Sequence, residues 1–135
     1  MAKKETNANY KASIASVSKE LNGKERIMFK DTTNAIKIDE ATKESEGGIV
    51  LTVDYYGVLS IHNEKSDTVD YNNYIIVDTE GNKYVTGSDS FYRSFIDIVD
   101  ELADCGESIE GCTINIYRHD SKNYVGKQFL SCSLV

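Results

Sequence analysis

The chain has 135 residues, a formal net charge of −7, 40% hydrophobic residues and 27% charged residues, the composition of one globular domain. No apolar window approaches the length that crosses a bilayer, and the first 20 residues lack an apolar core of signal-peptide length. Cys105, Cys112 and Cys132 are an odd number without a disulfide-framework spacing, which points to a reducing, cytoplasmic setting.

Residues 1–9 are polar and terminal, and are expected to be the least ordered. Across residues 11–30, Ile14, Val17 and Leu21 recur at i, i+3 and i+7, and Asn22-Gly23 reads as a helix stop. Ile27, Met28 and Phe29 add a second apolar patch. This region reads as helical or irregular. Residues 39–48, DEATKESEGG, read as a polar acidic loop ending in a double glycine. Residues 1–48 are therefore expected to form a partly helical N-terminal extension, and residues 49–135 the main domain.

Residues 49–62, IVLTVDYYGVLSIH, are rich in β-branched and aromatic side chains and predict a long strand, with Gly57 marking a bulge or bend. A polar loop follows. Residues 72–78 and 83–86 predict two strands joined as a hairpin by the turn at 79–82. Gly87-Ser88-Asp89 supplies a loop and a helix cap. Residues 89–104 predict a helix, because Phe91, Phe95, Ile98 and Leu102 recur at i, i+4, i+7 and i+11. Residues 112–118 and 128–135 alternate as two further strands, with Ile114, Ile116, Leu130, Cys132 and Leu134 inward. The order from residue 49 is β-β-β-α-β-β. That is the element order of an OB-like barrel: five strands, partly open, with one principal helix plugging an end.

Charge is unevenly placed. Residues 1–30 carry seven Lys and Arg against three Glu, a balance of +4; residues 31–112 carry five against 18 Asp and Glu, a balance of −13; residues 113–128 return to +2. An acidic body repels polyanions at a distance, but salt screens beyond about 8–10 Å, so a basic end can still hold phosphates at contact. OB barrels bind through their second and third strands and through two loops. One of those loops here is HDSKNYVGK, residues 119–127, which sets Lys122, Tyr124 and Lys127 close together after Arg118. The other offers His62 and Lys65. Unpaired nucleic acid needs cations for its phosphates and aromatic faces for its bases. Lys83, Arg118, Lys122 and Lys127 are the candidate phosphate contacts, and Tyr84, Tyr117 and Tyr124 the candidate stacking platforms.

Other chemistries find less support. The cysteines and histidines contain no CxxC pair, so no metal is expected. His119-Asp120-Ser121 holds the residue types of a catalytic triad, but sequence neighbours do not generally hold its geometry. No phosphate loop of Walker spacing is present. The chain reads as a non-enzymatic binding protein without a cofactor.

The segments DYNNYIIVDTEGNKYVTGSDSFYRSFIDIVDEL and YRHDSKNYVGKQFLSCSLV resemble a group of small bacteriophage-encoded proteins read as single-stranded DNA-binding proteins. The resemblance covers roughly residues 49–135, and more loosely KDTTNAIKIDEAT; its most specific pieces are SKNYVGKQF, residues 121–129, and YVTGSDSF, residues 84–91. It implies a ligand role for Lys122, Tyr124 and Lys127. It also implies a setting in phage replication or recombination inside an infected bacterium, with further copies of the chain and replication proteins as partners. The acidic middle segment supports an alternative: a DNA mimic that captures a basic host nuclease or polymerase.

Overall fold

The computed structural model describes residues 9–135, so the expectation for the polar start of the chain lies, Asn9 apart, outside the described residues. In chain order the elements are β1 (Tyr10–Val17), α1 (Gly23–Lys30), β2 (Ile36–Lys37), α2 (Ile38–Glu44), β3 (Ile49–Asn63), β4 (Asp70–Asp78), β5 (Lys83–Thr86), α3 (Asp89–Asp104), β6 (Thr113–Asp120) and β7 (Gln128–Leu134). Strands dominate this mixed α/β fold. Six of them follow the path β2-β5-β4-β3-β6-β7, and β1 joins by pairing with β3. All neighbours are antiparallel except β2 and β5. The sheet is strongly curled and does not close.

The 15-residue strand β3 carries the curl. One edge runs along β4. The other is shared: residues 49–52 pair with β6, and residues 57–63 with β1. Val53 faces Asp78 and Tyr55 faces Val77, which leaves Asp54 as a bulge. One extra residue reverses the alternation of side chains. Ile49, Leu51, Val53 and then Tyr56 therefore face one apolar cluster, while Tyr55, Leu59 and Ile61 face a second.

The first cluster fills the inside of the curl. It gathers Tyr84 from β5, Ile76 from β4, Leu130 and Cys132 from β7, Phe91 and Phe95 from α3 and Ile38 from α2. Strands from both ends of the sheet meet there, which only the inside of a curl permits. The second cluster lies on the outer face, where Leu21 and Phe29 cover Leu59, Ile61, Ile75 and Val77.

From residue 49 onward the expected β-β-β-α-β-β order is present, but the five-stranded barrel is corrected to an open sheet with two more strands. The physical reason is that both free edges are already satisfied. The outer edge of β5 is taken by β2. The outer edge of β7 is met by hydroxyls of α3: Ser90 Oγ donates to the Leu130 carbonyl at 3.0 Å, and Ser94 Oγ to the Cys132 carbonyl at 3.0 Å. The short helix α2 spans the gap. The Asp39 carboxylate accepts from Thr86 on β5 at 2.7 Å, and Arg118 on β6 donates to Thr42 Oγ1 at 3.0 Å and to the Asp39 carbonyl at 2.8 Å.

Four local expectations are also corrected. Residues 10–17 form a strand rather than a helix. Ala12 and Ile14 alternate onto the outer cluster, and a register shift between Ile14 and Ser16 brings Val17 to the same face. That bulge imitates a helical i, i+3 spacing. Asn22-Gly23 starts a helix rather than ending one: Asn22 Oδ1 accepts from the Glu25 N–H and Glu25 Oε1 from the Asn22 N–H, both at 2.9 Å, a capping box. The acidic segment expected as a loop begins with α2, which buries Ile38 and Thr42. Gly57 is no bulge with β4. A Cβ there would sit 2.5 Å from the Ser16 carbonyl oxygen and 2.8 Å from the Phe29 ring, so only glycine lets β1 and α1 approach.

Candidate nucleic-acid interface

The β6–β7 hairpin continues beyond the start of β3, since β6 pairs with β3 only at residues 49–52 and runs on to Asp120. Its tip is tightly wound. The Ser121 N–H donates to the Lys127 carbonyl at 2.9 Å, and the Lys127 N–H to the Tyr124 carbonyl at 3.2 Å. Ser121 Oγ accepts from the backbone N–H groups of Asn123 at 3.3 Å and Tyr124 at 3.2 Å. Gly126, at φ +81°, supplies the left-handed residue the turn requires. This winding drives Tyr124, 65% exposed, and the fully exposed Val125 into solvent. The Lys127 ammonium lies 5.8 Å from the Tyr124 ring centroid, within cation–π range.

Strand alternation places Tyr117, His119, Phe129 and Ser131 on the outer face of the hairpin. His119 faces Phe129 in register, with ring centroids 4.0 Å apart and planes at 67°, and Tyr117 is 6.0 Å from His119. His119 Nε2 and Ser131 Oγ are 2.8 Å apart, which fixes the imidazole. Between this surface and the first turns of α3 lies a groove of about 450 Å³, bordered by Arg93, His119, Asp120, Lys122, Tyr124 and Phe129. The Ser90–Leu130 bond anchors α3 against the groove wall.

The structure brings some of the predicted residues together and separates others. Lys122, Tyr124 and Lys127 share the exposed tip, and Tyr117 lies further along the same hairpin. Arg118 points the other way, where its guanidinium is held by α2. Lys83 and Tyr84 belong to β5, which hydrogen-bonds neither strand of the hairpin. Lys83 donates to the carbonyls of Met28 and Asp31, closing the C-terminal end of α1. Burial pushes its ammonium pKa down, against the opposing pull of Asp31. Tyr84 donates to Asp78 Oδ2 at 3.0 Å; burial, then that carboxylate, pushes its phenol up to about 12. These three side chains hold α1, α2 and the 79–82 turn in place.

His62 and Lys65 lie at the far end of β3 from the hairpin tip, since their loop follows Asn63 whereas β6 meets residues 49–52. His62 is tied to Asp70 and Glu64. The outer face of β3 and β4 is covered by α1. The hairpin tip brings exposed aromatic and cationic groups together beside the groove.

Sequence reasoning missed Arg93, His119 and Phe129 as members of this surface. Arg93 is the one cation in the helix DSFYRSFIDIVDELAD and falls off its apolar stripe. Phe129 is one residue out of phase with buried Leu130 and Cys132, so the alternation already placed it outside; Leu134, expected inward with them, is instead exposed at the end of β7. Among the described residues, no group of three or more His, Cys, Asp or Glu is disposed to hold a metal. No protein-family model, curated protein sequence or solved structure matches the chain.

Proposed function

We propose that the chain is a non-enzymatic single-stranded DNA-binding protein that uses the β6–β7 hairpin as its contact surface. The observation that carries this reading is the groove in which the aromatic rings of His119, Tyr124 and Phe129 border the same space as Arg93 and Lys122. Stacking on such rings tolerates any base, and the cations meet the phosphates. Lys127 and Tyr117 extend the surface on either side. Lys83, Tyr84 and Arg118 act as scaffold, because their polar groups are spent inside the chain.

The strand order β5-β4-β3-β6-β7, with α3 between β5 and β6, supports an open relative of the OB barrel. In this reading α1 takes over the sheet face that such barrels offer to nucleic acid and leaves binding to the hairpin. The resemblance to phage proteins supplies the proposed setting: replication or recombination in the cytoplasm of an infected bacterium, with further copies of the chain along the strand. No helix among the described residues is long and apolar enough to cross a membrane.

A second reading rests on α3, whose Asp97, Asp100, Glu101 and Asp104 are exposed, and on the fact that the ion pairs among the described residues are those of His62. Such an unneutralised face suits a DNA mimic that captures a basic protein. Fluorescence anisotropy with a labelled oligonucleotide at several salt concentrations separates the two. Binding that weakens as salt rises supports the first reading. No binding at low salt removes it and leaves the second.

A further inference from the structure

Arg93 and Asp120 border one groove, yet they form no ion pair within 4.0 Å. Both side chains are exposed, where a direct ion pair would gain little, so each keeps its charge and hydrogen-bonding capacity free for a ligand. The groove volume of about 450 Å³ accommodates a base with its sugar. Its walls combine ring faces with two polar groups of opposite sense: a guanidinium, which only donates hydrogen bonds, and a carboxylate, which only accepts them. Asp120 Oδ1 accepts from Gln128 Nε2 at 3.2 Å and keeps a second lone pair, and Oδ2 has no partner among the described residues.

The complement of such a pair is a flat group with two donors on one edge and two acceptors on another. Among the bases that is guanine: N1–H and the N2 amino group donate, while N7 and O6 accept and suit an arginine fork. Adenine and cytosine each offer one amino group, and thymine one N–H. We propose that the groove seats a single unpaired guanine against Tyr124 and Phe129, its donor edge toward Asp120 and its acceptor edge toward Arg93. The protein then coats single strands generally but rests preferentially at guanines. This inference depends on the single-stranded DNA reading above, and it makes Arg93 and Asp120 its specificity-determining residues.

The test uses the full chain and a thymidine oligonucleotide carrying one central deoxyguanosine, deoxyadenosine, deoxycytidine or deoxyinosine, compared by anisotropy at fixed salt. The guanine oligonucleotide binds at least about fivefold tighter than the all-thymidine one, the low end for a base read by a bidentate pair. Deoxyinosine, which lacks the N2 amino group, loses part of that gain. Asp120→Asn removes the difference between guanine and inosine while tightening binding to plain thymidine, since a repelling carboxylate is gone. A merely structural Asp120 would not produce that opposed pair of changes. Equal affinity for all oligonucleotides overturns the guanine site and leaves general strand binding intact. Failure of every oligonucleotide to bind at low salt overturns both.

Discussion

Ser94 and Cys132 exchange two hydrogen bonds. The serine hydroxyl donates to the Cys132 carbonyl at 3.0 Å and accepts from the Cys132 N–H at 3.1 Å. A single side chain thus does for β7 what a neighbouring strand would do. Ser90, one helical turn earlier, serves the Leu130 carbonyl two residues back along the strand. The match is geometric: four helical residues advance about 6 Å and two strand residues about 6.6–6.8 Å. A sheet edge capped in this way has no need to close on β5.

Removing the hydroxyl therefore exposes a cost that the fold otherwise avoids. Ser94→Ala leaves the backbone N–H and carbonyl of the buried Cys132 without their partner, a loss of about 1–3 kcal/mol. Urea unfolding checks this, with a lower midpoint and an unchanged slope as the expected result. An unchanged midpoint would mean that water replaces the hydroxyl without loss.

Gly57 marks a close crossing of β1 and α1 on β3, and Gly57→Ala tests it. The added methyl meets the Ser16 backbone and the Phe29 ring together, so neither β1 nor α1 can yield alone. Overpacking of this kind costs about 1–3 kcal/mol. Gly23→Ala is the control, because a Cβ at Gly23 has nothing within 4 Å and extends a helix, which leaves stability unchanged or slightly raised. Parallel urea titrations of the two variants read the difference.

The parts legible in the sequence are those where alternation or helical spacing runs uninterrupted. Residues 89–104 show an unbroken apolar stripe and form α3 over that same span. The strands expected over 112–118 and 128–135 form at Thr113–Asp120 and Gln128–Leu134 and pair with each other. What was hidden lies where a bulge resets the phase. The register shift between Ile14 and Ser16 disguises a strand as a helix, and the Asp54 bulge sends consecutive parts of β3 to opposite faces. The site divides in the same way. Lys122, Tyr124 and Lys127 stand out because their loop is local, whereas Arg93 reaches the groove only through the docking of α3 on β7. The intramolecular bonds of Lys83 and Arg118 are hidden from the sequence for a related reason. Their partners are backbone carbonyls and a hydroxyl far along the chain, and nothing in the local sequence announces a long-range cap.

His62 gives a pH signature independent of ligand. Nδ1 lies 2.8 Å from Asp70 Oδ1, and Nε2 lies 3.2 Å from Glu64 Oε2. Carboxylates only accept, so both ring nitrogens donate only when the imidazole is protonated. The bond to Asp70 first, and then that to Glu64, raises the His62 pKa above its ordinary 6.5. A raised folded-state pKa contributes stability that is fully present below the unfolded value, and it is lost as pH rises through the folded value. NMR titration should find His62 above 6.5, and Asp70→Asn should bring it down. A His62 that titrates at its ordinary value in the wild-type chain would show that both carboxylates are turned to solvent.

Binding itself separates the charges from the rings. Lys122→Ala with Lys127→Ala removes two cations, so the dependence of log affinity on log salt should flatten by roughly 0.7 per lost phosphate contact. Tyr124→Ala removes a stacking face and should cost about 1–3 kcal/mol of binding at an unchanged salt slope. Lys83→Ala is the informative contrast. Its ammonium already serves the carbonyls at the end of α1, so this variant should lower the urea midpoint while keeping the wild-type salt slope once folding is complete. Anisotropy titrations across a salt series measure all three. A salt slope that falls with Lys83→Ala and stays fixed with the double lysine variant would move the contact surface from the hairpin to β5.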